Sequence, residues 1–536
     1  MGKEVQPRLV RLGYLPPPLP LSLILRLTCP LAHVPTCPLD RLMRLSTALL
    51  LLTSLSVIAA EPRKNVLLLV SDDCGTRMGT YGGPALTPNI DALAREGVRF
   101  NRAYCQYALC NPSRTSFLTG LRPDTTRVYD NAKEFRKAIP DIVTLPEMFK
   151  NNGYAVARIG KLYHYSVPKE IGTNGLDDPK SWGQVWNPRG RDCDDEDKIF
   201  SIGIGAGTSA DNANGKTGQI LVGSGNYGGT LSWLAADGED SEQTDGKIAA
   251  QAISYLQTKR ETPFFLAVGF FRPHTPYVSP KKYFELYPKD KLEIVPDPTA
   301  DRASKPQVAL SNTTVANYGM TEDTQRTAKQ AYLASMSFMD AQFGLVLAEL
   351  KKQGLDKNTL VIFISDHGYN LGEHGLWQKR SLYEDSARVP LIIRDPGMKT
   401  AGQSSNRIAE LLDLYPTIAD LCGLTPDKRA QGKSLRPLLE EPNRPWANAA
   451  YTQVDFSAAN KDASFAGGKQ KKALASKVGR SVRTERYRYT EWNDGAIGLE
   501  LYDHEKDPKE LTNLATDPAY AQVVIELKAT LAKGTN

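Results

Sequence analysis

Val66-Leu67-Leu68-Leu69-Val70-Ser71-Asp72-Asp73 is an apolar run that breaks without transition into a serine and two adjacent carboxylates. A strand of that composition is buried on both faces, which is how strands of a parallel sheet covered by helices read. Two neighbouring carboxylates at its end are costly unless they pair with cations or hold a metal, although a turn or helix cap uses the same residues. The pattern recurs down the chain. Residues 154–159 run into Gly160-Lys161-Leu162-Tyr163-His164, residues 263–270 into Phe271-Arg272-Pro273-His274, and residues 360–364 into Ser365-Asp366-His367-Gly368. Residues 98–104 and 389–393 read as further strands. Helical stretches lie between them at 88–97, 144–152, 244–260 and 321–353, with a stop at Gly153 and a closing helix over 410–422. The 321–353 stretch carries Ala331, Leu333, Met336, Met339, Phe343, Val346 and Leu350 at a 3.6-residue period, a core-facing stripe rather than a cofactor box. Strands alternating with helices predict an α/β fold, an α/β/α sandwich around a mostly parallel sheet.

Such sheets bind ligands in the crevice outside the carboxyl ends of their strands, and that is where the chemistry-bearing residues fall. Past residue 60 the chain has five histidines, and His164, His274 and His367 all sit at these ends. Carboxylates from two strands with one imidazole make a mostly oxygen donor set, suited to a hard divalent cation rather than zinc. His374 and Glu373 read as braces for the loop after Asp366. A second stretch points to the same crevice: Ala108-Leu109-Cys110-Asn111-Pro112-Ser113-Arg114-Thr115-Ser116-Phe117-Leu118-Thr119-Gly120. It reads as a helix with Pro112 at its first position, Ser113 and Thr115 free to bond backbone N–H groups, and Gly120 as its stop. A thiol there faces the positive end of a helix dipole with Arg114 one turn on, which suits chemistry on an anion. An ordinary buried thiol is the plainer reading of Cys110 by itself.

Cys110-x-Pro112-Ser113-Arg114 followed by Thr119-Gly120 resembles the signature of the type I sulfatases, with Asn111 where that family usually has a small residue. Leu121-Arg122-Pro123-Asp124-Thr125-Thr126-Arg127 is closer still to the iduronate-2-sulfatases within it, and the likeness runs from about residue 65 to the C-terminus. The resemblance implies an alkaline-phosphatase-like fold and an exo-acting sulfatase on a sulfated carbohydrate, of glycosaminoglycan or uronate type. It implies Cys110 oxidised to formylglycine by a formylglycine-generating enzyme. One Ca2+, ahead of Mg2+, would be held by Asp72, Asp73, Asp366, His367 and the modified Cys110. Arg114 would orient the formylglycine hydrate, Lys161 and Lys379 would hold sulfate oxygens, His274 would serve the leaving oxygen, and His164 would take the proton on release. Taken alone, the two lysines read as surface cations. Two other classes use the same crevice: a phosphoesterase of the alkaline phosphatase superfamily, normally with Ser or Thr as nucleophile, and a non-catalytic sulfated-glycan binder whose Cys110 stays a thiol.

The 536 residues, 41% hydrophobic and 24% charged, can build a large core and one further domain. Met43-Arg44, the apolar run 45–58 and Ala59-Ala60 read as a signal peptide, too short for a comfortable membrane span. Export to a periplasm, lumen or medium follows, with no stable membrane insertion. The first sixty residues hold six Lys/Arg and two acidic residues, so the remainder carries 60 basic and 58 acidic side chains, a balance that does not favour nucleic acid as a partner. Five cysteines past the leader, widely spaced, are no disulfide framework. Residues 177–229, rich in Gly, Asn and Asp, read as a surface insertion, and 460–477 as a mobile loop. Composition shifts after Pro437, dividing the chain into the leader 1–60, a catalytic domain 61–440 and a smaller C-terminal α+β domain 441–536. The last is expected to hold an antiparallel sheet, from strands at 480–492 and 499–503, before a final helix.

Overall fold

The computed structural model describes residues 63–202, 220–222, 227–313, 315–457 and 477–534. The signal-peptide segment and nearly all of the 460–477 loop lie outside the described residues. The main sheet is built from β1 (Asn65–Ser71), β2 (Val98–Tyr104), β3 (Ala155–Gly160), β4 (Gln184–Trp186), β5 (Phe264–Gly269), β6 (Thr359–Ser365), β7 (Arg388–Val389), β8 (Leu391–Arg394) and β9 (Ser404–Glu410). β1 lies between β6 and β5, parallel to both; β3 and β4 follow beyond β5, also parallel. On the other side β8 runs antiparallel to β6, and β2 pairs with β7, β8 and β9. The sheet is therefore mostly parallel, with one reversed track. Pro390, which has no N–H to give, splits that track into β7 and β8 where a single strand is expected.

Alternate residues of the central strands feed two cores. Val66, Leu68 and Val70 pack with Phe265, Ile362 and Ile364 on one face, and Leu67 and Leu69 with Leu266, Val268, Val361 and Phe363 on the other. The helices divide accordingly. α1 (Pro88–Glu96), α4 (Thr244–Gln257) and α5 (Glu322–Lys352) cover the second face. α2 (Cys110–Thr119), α3 (Leu145–Asn151) and α6 (Leu414–Leu421) cover the first. α5 is long and apolar enough to cross a membrane, yet it is mostly buried as a core helix.

Several boundaries differ from the sequence reading. Glu410 ends β9, and α6 begins only at Leu414, after a short turn. The 177–229 segment is not all surface insertion. Gln184–Trp186 extends the main sheet as β4, and Phe200–Ile202 joins a small sheet with Ile220–Val222, Ser232–Ala236 and Tyr277–Pro280. The expected strand 480–492 is two strands of an antiparallel sheet: β10 (Ala450–Asp455), β11 (Val478–Arg483), β12 (Tyr487–Trp492) and β13 (Gly498–Asp503). α7 (Ala521–Lys533) covers one face of it, setting Leu527 and Leu531 against Val482, Tyr489 and Leu501. This smaller α+β layer is stitched to the segment ahead of α2: Thr452 donates to the Cys105 carbonyl (2.6 Å), Gln453 N–H to the Gln106 carbonyl (3.0 Å) and Asp455 N–H to the Tyr107 hydroxyl (2.7 Å). Residues 62–536 form one compact unit.

Candidate active site

β1, β3, β5 and β6 end side by side, so Asp72-Asp73, Lys161, His274 and Asp366-His367 converge although they are far apart in sequence. α2 brings Cys110 in from below. It starts at Cys110, with extended Leu109 ahead of it, so Pro112 sits inside the first turn rather than at its first position. Ser113 does not cap the helix; its hydroxyl donates to the Asp366 carbonyl and ties α2 to the end of β6. Gly120 does stop the helix, at φ 71° with its N–H on the Ser116 carbonyl. Every residue of α2 is buried, which fixes the helix against the strand ends.

Arg114 is the clamp of the site. Its guanidinium donates to Asp366 Oδ2 (3.0 Å), to Asp72 Oδ1 (2.8 Å) and to the carbonyls of Lys161 (3.1 Å) and Leu162 (2.9 Å). It thereby joins three strand ends, and its hydrogen bonds go to the carboxylates and carbonyls around Cys110 rather than to the thiol. Lys161 Nζ takes the other Asp72 oxygen at 2.6 Å. Lys379 Nζ stands 2.7 and 2.9 Å from the two Asp73 oxygens and 3.2 Å from Cys110 Sγ. His367 Nδ1 faces the Gly368 carbonyl at 2.9 Å, so that nitrogen carries the proton. Its Nε2 lone pair then points to Asp73 Oδ1 (3.2 Å) and Cys110 Sγ (3.4 Å). His274 is fixed the same way, Nδ1 on the Thr275 carbonyl at 2.5 Å, with Nε2 3.7 Å from Asp73 Oδ2. His164 is buried close by, its Nδ1 without a partner.

The donor atoms of Asp73, Cys110, Asp366 and His367 lie within 4.8 Å of one another. Two carboxylates, a correctly protonated imidazole and a fourth group fit a hard divalent cation. Asp72, also expected as a ligand, stands beside this group with both oxygens engaged by Arg114 and Lys161. Burial pushes the Asp72 carboxyl up, but Lys161, His274 and Arg114 outweigh it and hold it well below the usual range. Asp73 goes the other way, raised by burial and by Asp72 and Asp366 despite Lys379 and His367. Burial first, then the nearby lysines, push His164 and His274 well below an ordinary histidine. Burial likewise raises the Cys110 thiol well above its ordinary value, Lys379 offsetting only part.

The centre is closed. Cys110, Asp72 and Lys161 have no exposed surface, and the members that reach solvent most are His164 at 6%, His274 at 5% and Lys379 at 3%. Glu373 and His374 stay outside and brace the neighbouring loop: Glu373 pairs with Arg77 at 2.8 Å and His374 with Asp301 at 2.9 Å. Tyr332, missed by the sequence reading, supports the site from α5. Its hydroxyl donates to the Asp73 carbonyl (2.9 Å) and accepts the Gly75 N–H (2.9 Å), holding Asp73 in a left-handed conformation at φ 62°. A tyrosine inside an otherwise apolar stripe is the signal that could have found it, since a buried phenol needs a partner. The cysteines at 74, 105, 110, 193 and 422 are all free.

A doubly covered, mostly parallel sheet with this cluster at its strand ends defines an alkaline-phosphatase-like hydrolase. The sulfatase family profile matches residues 64–424, and a profile described as N-sulphoglucosamine sulphohydrolase, C-terminal, matches 372–536. The chain belongs to the sulfatase family and is a sulfuric ester hydrolase. It is similar to a sulfatase of Formosa agariphila, 32% identical over 88% of this chain and 87% of that one. It is 31% identical to mouse iduronate 2-sulfatase, over 88% of this chain and 94% of the relative. Among solved structures it resembles a phosphonate monoester hydrolase of Agrobacterium radiobacter, with a TM-score of 0.69 and 26% identity over 88% of this chain and 95% of that one.

Proposed function

We propose that this sulfatase is an exported, exo-acting enzyme on a sulfated carbohydrate of glycosaminoglycan or uronate type. In this reading Cys110 is matured to formylglycine by a formylglycine-generating enzyme, and Asp73, Asp366, His367 and residue 110 hold one Ca2+, with Asp72 beside them. Residues 61–440 form the catalytic domain and 441–536 the smaller one. The observation that carries the proposal is the placing of Cys110 Sγ, buried at the start of α2 within 3.2 Å of Lys379 Nζ and 3.4 Å of His367 Nε2. A closed centre favours a terminal sulfate ester over one in mid-chain, and the likeness to mouse iduronate 2-sulfatase favours a uronate-type sugar.

Formylglycine and Ca2+ would together supply charge neutralisation, a hydroxyl to attack sulfur, and a second hydroxyl able to expel sulfate. The chain's own residues do the rest. Lys379 and Lys161 place two ammonium groups where sulfate oxygens gather charge. Arg114 fixes Asp72 and Asp366 from behind, so the anionic wall keeps its shape when the substrate's own charge arrives. His274 and His164 are neutral at neutral pH and lie at the solvent side. His274 Nε2, its ring held by the Thr275 carbonyl, would take up the proton given off by the attacking hydroxyl and deliver it to the leaving oxygen. His164 Nδ1 is the vacant acceptor for the proton lost on sulfate release.

The test is the mass of the tryptic peptide 103–114 from active protein, which separates formylglycine, thiol and disulfide. Sustained sulfate-ester turnover by protein whose residue 110 is wholly thiol would refute the proposal. The phosphonate monoester hydrolase likeness favours one second reading, a phosphoesterase, so hydrolysis of an aryl sulfate and an aryl phosphate is compared on the same sample.

A further inference from the structure

β2 carries charge on its way to the Cys110 segment. Arg99 and Arg102 from β2, Arg388 from β7 and Arg483 from β11 line one cleft of about 490 Å³, which none of the residues of the catalytic centre lines. Glu384 is the one carboxylate on its wall, and it is already shared: Arg488 takes it at 2.6 Å, Arg483 at 3.3 Å and the Tyr104 hydroxyl at 2.9 Å. The other three guanidiniums make no direct ion pair among the described residues, although Arg388 is near enough to Glu384 to help lower its carboxyl. Among the described residues none of Arg99, Arg102 and Arg388 has a carboxylate within ion-pairing distance, and Arg99 is clamped by neutral groups alone. That clamp is Asn101 Oδ1 at 2.9 Å, Thr80 Oγ1 at 3.0 Å and the Thr80 carbonyl. Arg388 Nε is buried without a hydrogen-bond partner. Arg99 and Arg388 both lie over the Tyr81 ring, at 5.5 and 5.8 Å from its centroid, so two like charges are held side by side. All three are half-buried, which denies them the full hydration that ordinarily makes a surface arginine indifferent to a partner.

We propose that this cleft is a second anion site, taking a tetrahedral or planar oxyanion, sulfate or carboxylate, between Arg102 and Arg388. Guanidiniums match such groups with paired N–H donors, and the half-buried setting favours an ion that brings two acceptor oxygens to each. Two sources share that chemistry: inorganic sulfate released by the enzyme, and a sulfate or uronate group further along the sugar chain. The site stands on the cleft itself and does not depend on formylglycine or calcium.

Binding of sodium sulfate, and of a sulfated uronate-containing tetrasaccharide, is measured by calorimetry at fixed ionic strength for wild type, Arg102→Ala and Arg102→Ala/Arg388→Ala. Affinity is expected to fall about tenfold for each guanidinium removed, while turnover of a small aryl sulfate stays at the wild-type level. A loss seen with sulfate marks a free-anion site, and a loss confined to the tetrasaccharide marks a glycan site; both support the proposal. Unchanged isotherms for both probes overturn it. Among the described residues Arg102 makes no side-chain hydrogen bond that its removal would orphan, so the single variant is the safer one to fold. Independently of any variant, selenate soaked into wild-type crystals is expected to give anomalous density between Arg102 and Arg388. No density there at saturating selenate overturns the proposal as well.

Discussion

Cys110 is placed for reaction and at the same time disarmed as a thiol. Burial pushes its ionisation well above the ordinary value and Lys379 only partly offsets that, so an unmodified thiolate is scarce at neutral pH. Conversion to a hydroxyl-bearing group removes that difficulty, which gives the Cys110 substitutions their diagnostic force. Cys110→Ala is expected to lower aryl-sulfate turnover on the order of 10³-fold or more, with the unfolding midpoint little changed. Cys110→Ser keeps a hydroxyl but has no second one to expel sulfate, so it should stop as a sulfated serine after one turnover, visible as added mass on the 103–114 peptide. Continued turnover by the serine variant would instead favour a phosphoesterase-type nucleophile. The metal ligands make a separate prediction. Calcium at about a hundred times its Kd should stabilise wild type by about 2.7 kcal/mol, and Asp366→Asn should abolish that gain together with activity. An equal calcium-dependent rise in Tm for the variant would remove Asp366 from the ligand set.

The elements were legible where burial is complete on both faces. β1, β5 and β6 appear as unbroken apolar runs because nothing polar can be tolerated on either side of a covered parallel sheet, whatever the neighbouring segments do. Where partners decide, the residues alone mislead. Gln184–Trp186 is only three residues long and largely exposed, and becomes a strand only because β3 offers it an edge. Reading 480–492 as one strand passes over the polar run Arg483-Thr484-Glu485-Arg486, which marks the turn between β11 and β12. Tyr332 went unseen because its helix reads as core, and its effect on Asp73 is invisible without the fold. Tyr332→Phe removes the phenol oxygen that serves Asp73 and Gly75 and leaves a buried N–H without an acceptor. The cost should be about 1–3 kcal/mol in unfolding free energy, with calcium affinity down about tenfold or more, as for lost outer-shell support elsewhere. A variant with wild-type calcium affinity would reduce Tyr332 to packing alone.

At the scale of the molecule, a smaller antiparallel sheet near the C-terminus was readable in the sequence, but the way it is joined to the main sheet was not. Beyond the hydrogen bonds made by residues 452–455, the joint consists of single side chains distant in sequence, Arg488 and Glu500 among them on β12 and β13. Tyr383 donates to Glu500 at 2.7 Å, Lys305 to the Glu510 carbonyl at 2.7 Å, and Arg488 bridges Glu384 (2.6 Å) and Glu510 (2.5 Å), with His504 2.9 Å from Glu510. None of these residues sits in a motif, and spacing carries no trace of their pairing. Glu510 is the member whose ionisation can be followed. Burial raises its carboxyl, but Arg488 and His504 outweigh that and hold it down at about 2. A carboxyl depressed on folding contributes stability that is fully present above its unfolded value of about 4.3 and is lost as pH falls towards the folded value. Glu510→Gln should therefore be destabilised by about 3 kcal/mol at pH 6, and the gap to wild type should close between pH 4.5 and about 2. Urea unfolding at steps of pH measures this directly. A gap that stays constant from pH 6 to pH 2.5 would mean that the variant loses packing rather than charge, and that the joint between the layers does not rest on the Arg488–Glu510 pair.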